Sequence, residues 1–559
     1  MANLMSNFKL KNKPSRSGFD LTKRTTFSAK IGELLPVYCK EVLPGDNFKF
    51  HLQSFSRLQP LAAPAFVRLR EYYDFVYVPT RLLWRYADSL FDQMPNFSSS
   101  NSNASEQTNI SSAPFVTRLQ VNDALARLSN FKDSVGFSCR YGAEKILDLL
   151  GYGQVWHDGN SDADGTSYRN TAFNIFPVLA YQKAYCDIFR FDQWEMPSPH
   201  TFNVDYADSG QNLVLTDIPG KNNFFTLRYA NYPKDLLFGL LPNTQYGDVS
   251  VVATTSGLTA LSSVGGSTKT PAPLVVNNAS SNQLNSKDKI DKYFKFDILA
   301  LRQAELLQKY KEISLTSKQD HAAQLQAHWN VRLSKGRSLV SEYLGGISQN
   351  VQIDSVVNQN LSASDSQSDL RGIGMSGTNG KIDYNVPEHG YILCIYHCSP
   401  IIDYDGSSLI FPQNLHLAGS DFAIPELDRA GMQSVPIEWY LGSLQHLAKD
   451  GNESDPGVVP GYAPRYVEYK TDVDTAHGLF SPSYATEFSS WVSPLRVSDI
   501  YTRFSSDDLT YESFKVFPKQ FDNLFKVNAD ASVKSDQILC CADFDVKAVR
   551  NLDYDGMPY

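Results

Sequence analysis

Cys394, Cys398, His389 and His397 fall within ten residues of one another, and thiolate and imidazole are the donors that a tetrahedral zinc site prefers. The run around them, GYILCIYHCSP from Gly390, reads as a strand, whose side chains alternate between two faces. Cys394 and Cys398 then point away from His389 and His397, so the four cannot converge on one ion and a structural role is expected. Gly372, Gly374 and Gly377 spell the GxGxxG pattern of dinucleotide sites, which needs a strand before it and a helix after it. Here SASDSQSD precedes and TNGK follows, so residues 358–382 are expected to form a polar, glycine-rich loop. Lys381 follows Gly380, but Ile382 stands where a phosphate loop needs Ser or Thr. Asn160, Asp162, Asp164 and Gly165 imitate the opening of a calcium loop, yet Thr171 closes it without the bidentate carboxylate. A turn is expected there, with only a weak ion near Asp162 and Asp164. His321 and His328 share a helix face without HExxH spacing, and no GxSxG nucleophile elbow occurs. Catalytic, cofactor and metal residues are therefore left unassigned. Carboxylates are plentiful enough that a glycosidase-like pair stays open.

The remaining chemistry is charge. Residues 1–30 hold seven Lys or Arg against Asp20 alone, a net of +6, which leaves −15 for the rest of a chain whose total is −9. A basic arm on an acidic body concentrates nucleic-acid contacts at one end. The expected phosphate-facing residues are Lys9, Lys11, Lys13, Arg16, Lys23 and Arg24, none of which lies in a strand pattern. The other reading is a solvated terminus. Seven cysteines, an odd number scattered along the chain, do not suggest a disulfide framework. Cys39, Cys139, Cys186, Cys394, Cys398, Cys540 and Cys541 are expected as thiols without metal.

The elements behind these residues start with Gly32 to Trp84. From Asn47 to Leu52, Phe48, Phe50 and Leu52 alternate with Asn47, Lys49 and His51, the mark of a half-buried strand. From Glu71 to Val78 both faces are apolar or aromatic, as in a strand covered on both sides. Near the C-terminus Ala542, Phe544, Val546 and Ala548 oppose Asp543, Asp545 and Lys547. Helices are expected from Val121, Ala143 (stopped by Gly151), Val178, Phe296 and Thr316, as insertions between strands. Residues 96–114 are a Ser- and Asn-rich exposed loop. The 46 residues between Tyr246 and Tyr293 contain no aromatic in a chain that is 12% aromatic. That segment, 247–292, is expected on the surface. No run reaches the ~18 apolar residues of a membrane span, and the N-terminus lacks a signal-peptide core, so retention in the compartment of synthesis is expected.

GELLPVYCKEVLPGDNFKF with REYYDFVYVP resembles the N-terminal part of microvirus major capsid proteins. The resemblance continues through Arg228, Tyr229, Asn231, Asp235, Pro242, Gln245 and Gly247, with Tyr232 where Trp is usual, then Tyr343-Leu344-Gly345-Gly346, the segment from Pro460 and the ending from Ala542. It implies an all-β core, an eight-stranded antiparallel viral jelly roll with long helical and loop insertions, organised as a basic arm (1–30) and one capsid domain (31–559). It also implies a structural, non-enzymatic subunit, sixty copies of which close a T=1 shell around single-stranded DNA. The partners it implies are a small basic DNA-binding protein, pilot or minor virion proteins and a host surface receptor, without membrane insertion. The location is the virion, preceded by the host cytoplasm. The rival readings are a jelly-roll glycan-binding protein or glycoside hydrolase, and a minor spike or receptor-binding protein.

Overall fold

The computed structural model describes residues 15–87, 113–132, 137–153, 171–206, 224–247, 260–263, 274–277, 298–318, 320–334, 338–357, 370–405, 422–429, 431–436, 439, 461–481, 488, 491–492, 494–495, 511–525 and 536–554. The chain divides into two compact units, one made of Met1–Pro242 with Leu333–Tyr559 and the other of Asn243–Arg332.

The first unit is built on ten strands: β1 Ser17–Asp20, β2 Lys23–Ala29, β3 Leu35–Val42, β4 Asn47–Leu58, β5 Arg68–Pro79, β6 Glu342–Asn350, β7 Gln352–Val357, β8 Leu370–Asn385, β9 Gly390–Ile401 and β10 Ile538–Arg550. One sheet runs in the order β1, β10, β4, β8, β7, with β2 joining β1 along the same edge of β10. The second runs β6, β5, β9, β3. Every pairing in both is antiparallel. The two longest connections, from β5 to β6 and from β9 to β10, carry the insertions.

The sheets pack through aromatic rings that the strand period places on their facing sides. Phe50 of β4 lies 5.2 Å from Phe75 of β5 and 5.8 Å from Tyr38 of β3, and Phe544 of β10 lies 5.0 Å from Tyr38. Phe27 of β2 meets Tyr396 of β9 at 5.0 Å. Each such ring, fully buried, contributes about 1.5–3 kcal/mol of transfer free energy. Along β10 the inward residues Ala542, Phe544, Val546 and Ala548 are buried as the alternation predicts.

Two expectations are corrected. Residues 370–385 form strand β8 rather than a loop, pairing with β4 from Met375↔Arg57 to Asn385↔Asn47. Its inward glycines lie where neighbours leave no space: a Cβ on Gly374 would stand 2.3 Å from Leu58 Cδ1, and one on Gly380 2.5 Å from Ile347 Cδ1. Lys23 and Arg24 lie in β2, and residues 17–29 join the first sheet through β10, so the second half of the basic segment is part of the body.

The second sheet is also covered on its other face. There α1 (Arg118–Leu128), α2 (Cys139–Leu149) and α3 (Phe176–Ala184) gather, α3 continuing into a π turn at Tyr185–Phe189. α3 is buried all round apart from Pro177, which suits its nearly uncharged sequence FPVLAYQKA. Its Tyr181 hydroxyl donates to the Leu34 carbonyl at 2.8 Å, and Phe189 packs edge-on against His397 at 5.7 Å. Gly151, at φ 89°, follows α2 in the left-handed conformation that ends helices.

The second unit contains the hairpin Ala260–Ser263 with Leu274–Asn277 and the helices α4 (Ile298–Thr316) and α5 (His321–Trp329). Asp320 caps α5 by accepting from the Ala323 amide at 2.9 Å, and His328 stacks on Tyr310 of α4 at 4.2 Å. Most of the aromatic-free segment 247–292 lies outside the described residues, as do the loop 96–112 and the calcium-like residues Asn160, Asp162, Asp164 and Gly165.

Candidate assembly and nucleic-acid surfaces

Of the six basic residues singled out, Lys9, Lys11 and Lys13 lie outside the described residues. Arg16 is exposed and donates from Nη2 to the Gly45 carbonyl at 2.9 Å. Lys23 is exposed at the start of β2, opposite Phe544. Arg24 is already engaged, with Nε 3.3 Å from Asp543 Oδ1 and 2.9 Å from Cys541 Sγ. The seventh cation, Lys30, is buried with its ammonium 4.0 Å from the Phe137 ring centre and 4.8 Å from that of Tyr141. Burial lowers its pKa.

Among the residues whose side chains are described, the outer face of the first sheet carries the cations Arg24, Lys49, Arg57, Lys381 and Lys547 and the carboxylates Asp20, Asp354, Asp383, Asp543 and Asp545, five of each. Lys547 sits 2.6 Å from Asp20 and 3.3 Å from Asp545, which neutralises charge locally. Toward the other end of the same strands the outward residues turn apolar: Phe55, Ile373, Met375 and Leu539. A second aromatic surface surrounds the turn into β5, where Phe66, Phe480, Phe488 and Trp491 touch in a closed ring with centroid separations of 5.4–6.2 Å. Patches of this kind mark protein contacts.

The buried ionisable groups are structural ties. Glu33 is fully buried and accepts from Lys145 Nζ of α2 at 2.6 Å, while Asp536, just before β10, accepts from the same ammonium at 3.0 Å. Burial opposes the charge on Lys145, but the two carboxylates outweigh it and raise its pKa. Asp74 and His397 face each other at 3.6 Å on the covered side of the second sheet. Burial pushes Asp74 up to about 6 and His397 down to about 4, so both are uncharged near pH 5. A cleft of about 270 Å³ beside the π turn is lined by Tyr185, Trp194, Glu195 and Arg228 among others. Its polar groups serve one another: Glu195 Oε2 accepts from the Tyr185 hydroxyl at 2.6 Å and pairs with Lys515 at 3.3 Å, and Trp194 Nε1 donates to the Leu240 carbonyl at 2.7 Å.

Between the two sheets Glu71 accepts from the Tyr396 hydroxyl at 2.7 Å. Burial raises its carboxyl pKa, opposed by the hydrogen bond from Tyr396. The unfolded chain therefore ionises first, and stability falls as pH rises from the ordinary glutamate range toward the folded-state pKa. Glu71→Gln removes that loss, so its melting temperature relative to wild type should climb as pH rises above the ordinary glutamate range and level off once the buried carboxyl ionises. A gap independent of pH would contradict a neutral Glu71.

The strand period also disposes of the cysteine and histidine cluster as one site. Cys394 and Cys398 are buried on the side facing the first sheet, while His397 stacks on Tyr72 at 4.7 Å on the opposite side. His389 lies before β9 and its carbonyl accepts from the Thr80 amide. All seven cysteines are free thiols, Cys540 turned into the core and Cys541 outward beside Arg24. His328 lies 3.0 Å from the Ser314 hydroxyl, and His321 is exposed. The apolar patch on the first sheet was not anticipated from sequence. Its signal was present in the outward positions of β4 and β10, where Phe55 and Leu539 break the polar side of the alternation.

Comparison with known proteins gives this architecture its place. The family of capsid proteins (F protein) matches residues 6–157 and 165–558. Capsid protein VP1 of Bdellovibrio phage phiMH2K is 23% identical over 522 residues, covering 85% of this chain and 84% of that protein. Capsid protein VP1 of Chlamydia phage 1 is 23% identical over 549 residues, covering 85% and 86%. Both are microvirus proteins, as the sequence resemblance implied. No described helix is long and apolar enough to cross a membrane. The chain belongs to the capsid protein (F protein) family and is a structural, non-enzymatic major capsid subunit of a phage virion.

Proposed function

We propose that this subunit is a viral jelly roll, sixty copies of which close a T=1 shell around a single-stranded DNA genome. The observation that carries the reading is strand order. Counting β1 with β2 as one broken strand, and β7 as an added edge, leaves eight strands. In chain order their numbers run 1, 8, 3, 6 across the first sheet and 5, 4, 7, 2 across the second. Two interlocked Greek keys produce that order. Purified particles imaged by electron microscopy should form a uniform icosahedral shell, whereas small rings or dimers would overturn the reading.

The basic segment supplies the genome contacts in this proposal, through Lys9, Lys11, Lys13, Arg16 and Lys23, with Arg24 reduced by its pairing to Asp543. Six charges against an acidic body cannot neutralise a genome, so a small basic protein shares the interior. Changing all six to Gln should lower DNA retention and flatten its salt dependence by about 0.7 in slope per lost contact. Packaging equal to wild type at every salt concentration would remove the DNA role. The insertion within Asn243–Arg332 suits the outer surface, with its aromatic-free stretch available to a host receptor. Minor virion proteins join the same shell, and subunits collect in the host cytoplasm before assembly.

A further inference from the structure

The apolar end of the first sheet's outer face exposes Phe55 at 45%, Leu539 at 48%, Met375 at 40% and Ile373 at 38%. The register gathers them. Arg57 lies directly between Leu539 and Met375, Phe55 lies between Cys541 and Gly377, and Ile373 follows Met375 on the same side of β8. Neighbouring strands are about 4.8 Å apart, so these side chains form one patch across three strands. Nothing in the sheet requires them, because outward positions on the same strands carry Lys49, Gln53, Asn379 and Lys381 without disturbing the pairing.

We propose that this patch is a contact between two copies of the chain, related by a two-fold axis. Charge selects the occupant. Among the residues whose side chains are described, cations and carboxylates on the face are equal in number, so together they offer no net attraction to a polyanion, which favours a protein partner over nucleic acid. Arg57 within the patch and Asp354 at its edge, opposite Ile373, bring both signs to one surface. That is the requirement for a surface that must complement itself. Arg57 also lies 5.2 Å from the Phe55 ring, holding the aromatic side chain in place on the free face. The inference rests on the chain being a shell subunit and is independent of copy number or the nature of the genome contacts.

The test replaces Phe55 with the photo-crosslinking residue p-benzoylphenylalanine in the full chain and irradiates assembled particles. The expected product is a covalent dimer of the chain on a denaturing gel, with mass spectrometry joining position 55 to β4, β8 or β10 of the second copy. Crosslinks to DNA, to another virion protein, or to none of these overturn the proposal. A second variant, Phe55→Asp with Leu539→Asp, should leave the soluble subunit's circular dichroism and melting unchanged while lowering shell yield at least tenfold. Shells at wild-type yield from a folded double variant would also overturn it.

Discussion

Replacing Lys145 with Met is expected to destabilise the subunit by about 3–5 kcal/mol, because it leaves a buried charge without its partner. Glu33 is fully buried in the turn between β2 and β3, and Lys145 is its ion-pair partner at 2.6 Å. Asp536 shares the same ammonium at 3.0 Å, and both its own hydroxyl donors, Ser28 and Tyr141, belong to the same corner. Three distant parts of the sequence meet there: the entry to β3, helix α2 and the entry to β10. Methionine keeps the length and apolar stem of lysine, so the loss reports on charge rather than on volume. Adding Glu33→Gln to Lys145→Met should recover part of the loss, since the uncompensated carboxylate is then gone. Denaturant titration of the four proteins in a double-mutant cycle measures this. A single-variant loss below about 1 kcal/mol would show that the corner is open to water.

Phe544→Ala is expected to cost about 3–5 kcal/mol, the range for removing a buried aromatic side chain. Phe544 is 1% exposed at the centre of β10, 5.0 Å from Tyr38 and 6.4 Å from Phe75 of the opposite sheet. Phe75 is held by strand pairing on both sides and Tyr38 by pairing with β9, so the cavity cannot collapse far. Set against a typical domain stability of about 5–15 kcal/mol, that loss leaves a marginal subunit with a lower melting temperature and a lower yield of soluble chain. Phe544→Leu should restore most soluble subunit, and equal behaviour of the two variants would contradict tight packing at this position.

Much of the core was legible in the sequence because one face of each strand is apolar and the other polar. Phe48, Phe50 and Leu52 on β4, and Ala542 to Ala548 on β10, show the period of two directly. The double-sided run in β5 announced a strand covered on both faces, and α3 is what covers it. β8 escaped because its inward residues are Gly372, Gly374, Ser376, Thr378 and Gly380, small or polar types that read as loop. They are small because Leu58, Ala63 and Ile347 crowd against them, a constraint visible only once the partner strands are in place. β1 and β2 escaped because a basic, Thr- and Ser-rich segment looks like a tail until β10 pairs with it from more than 500 residues away. Long-range pairing of that kind leaves no local signature. The contact patch was hidden for a related reason: Phe55, Met375 and Leu539 become neighbours only through register.

The central claim, a closed shell of sixty subunits, is tested most directly by weighing intact particles freed of DNA, using charge-detection mass spectrometry. Sixty copies of a 62.5 kDa chain predict a protein shell of roughly 3.8 MDa, before any minor proteins. A single narrow mass at or slightly above that value is the predicted result. A ladder of small oligomers, or a shell several-fold heavier, would contradict it.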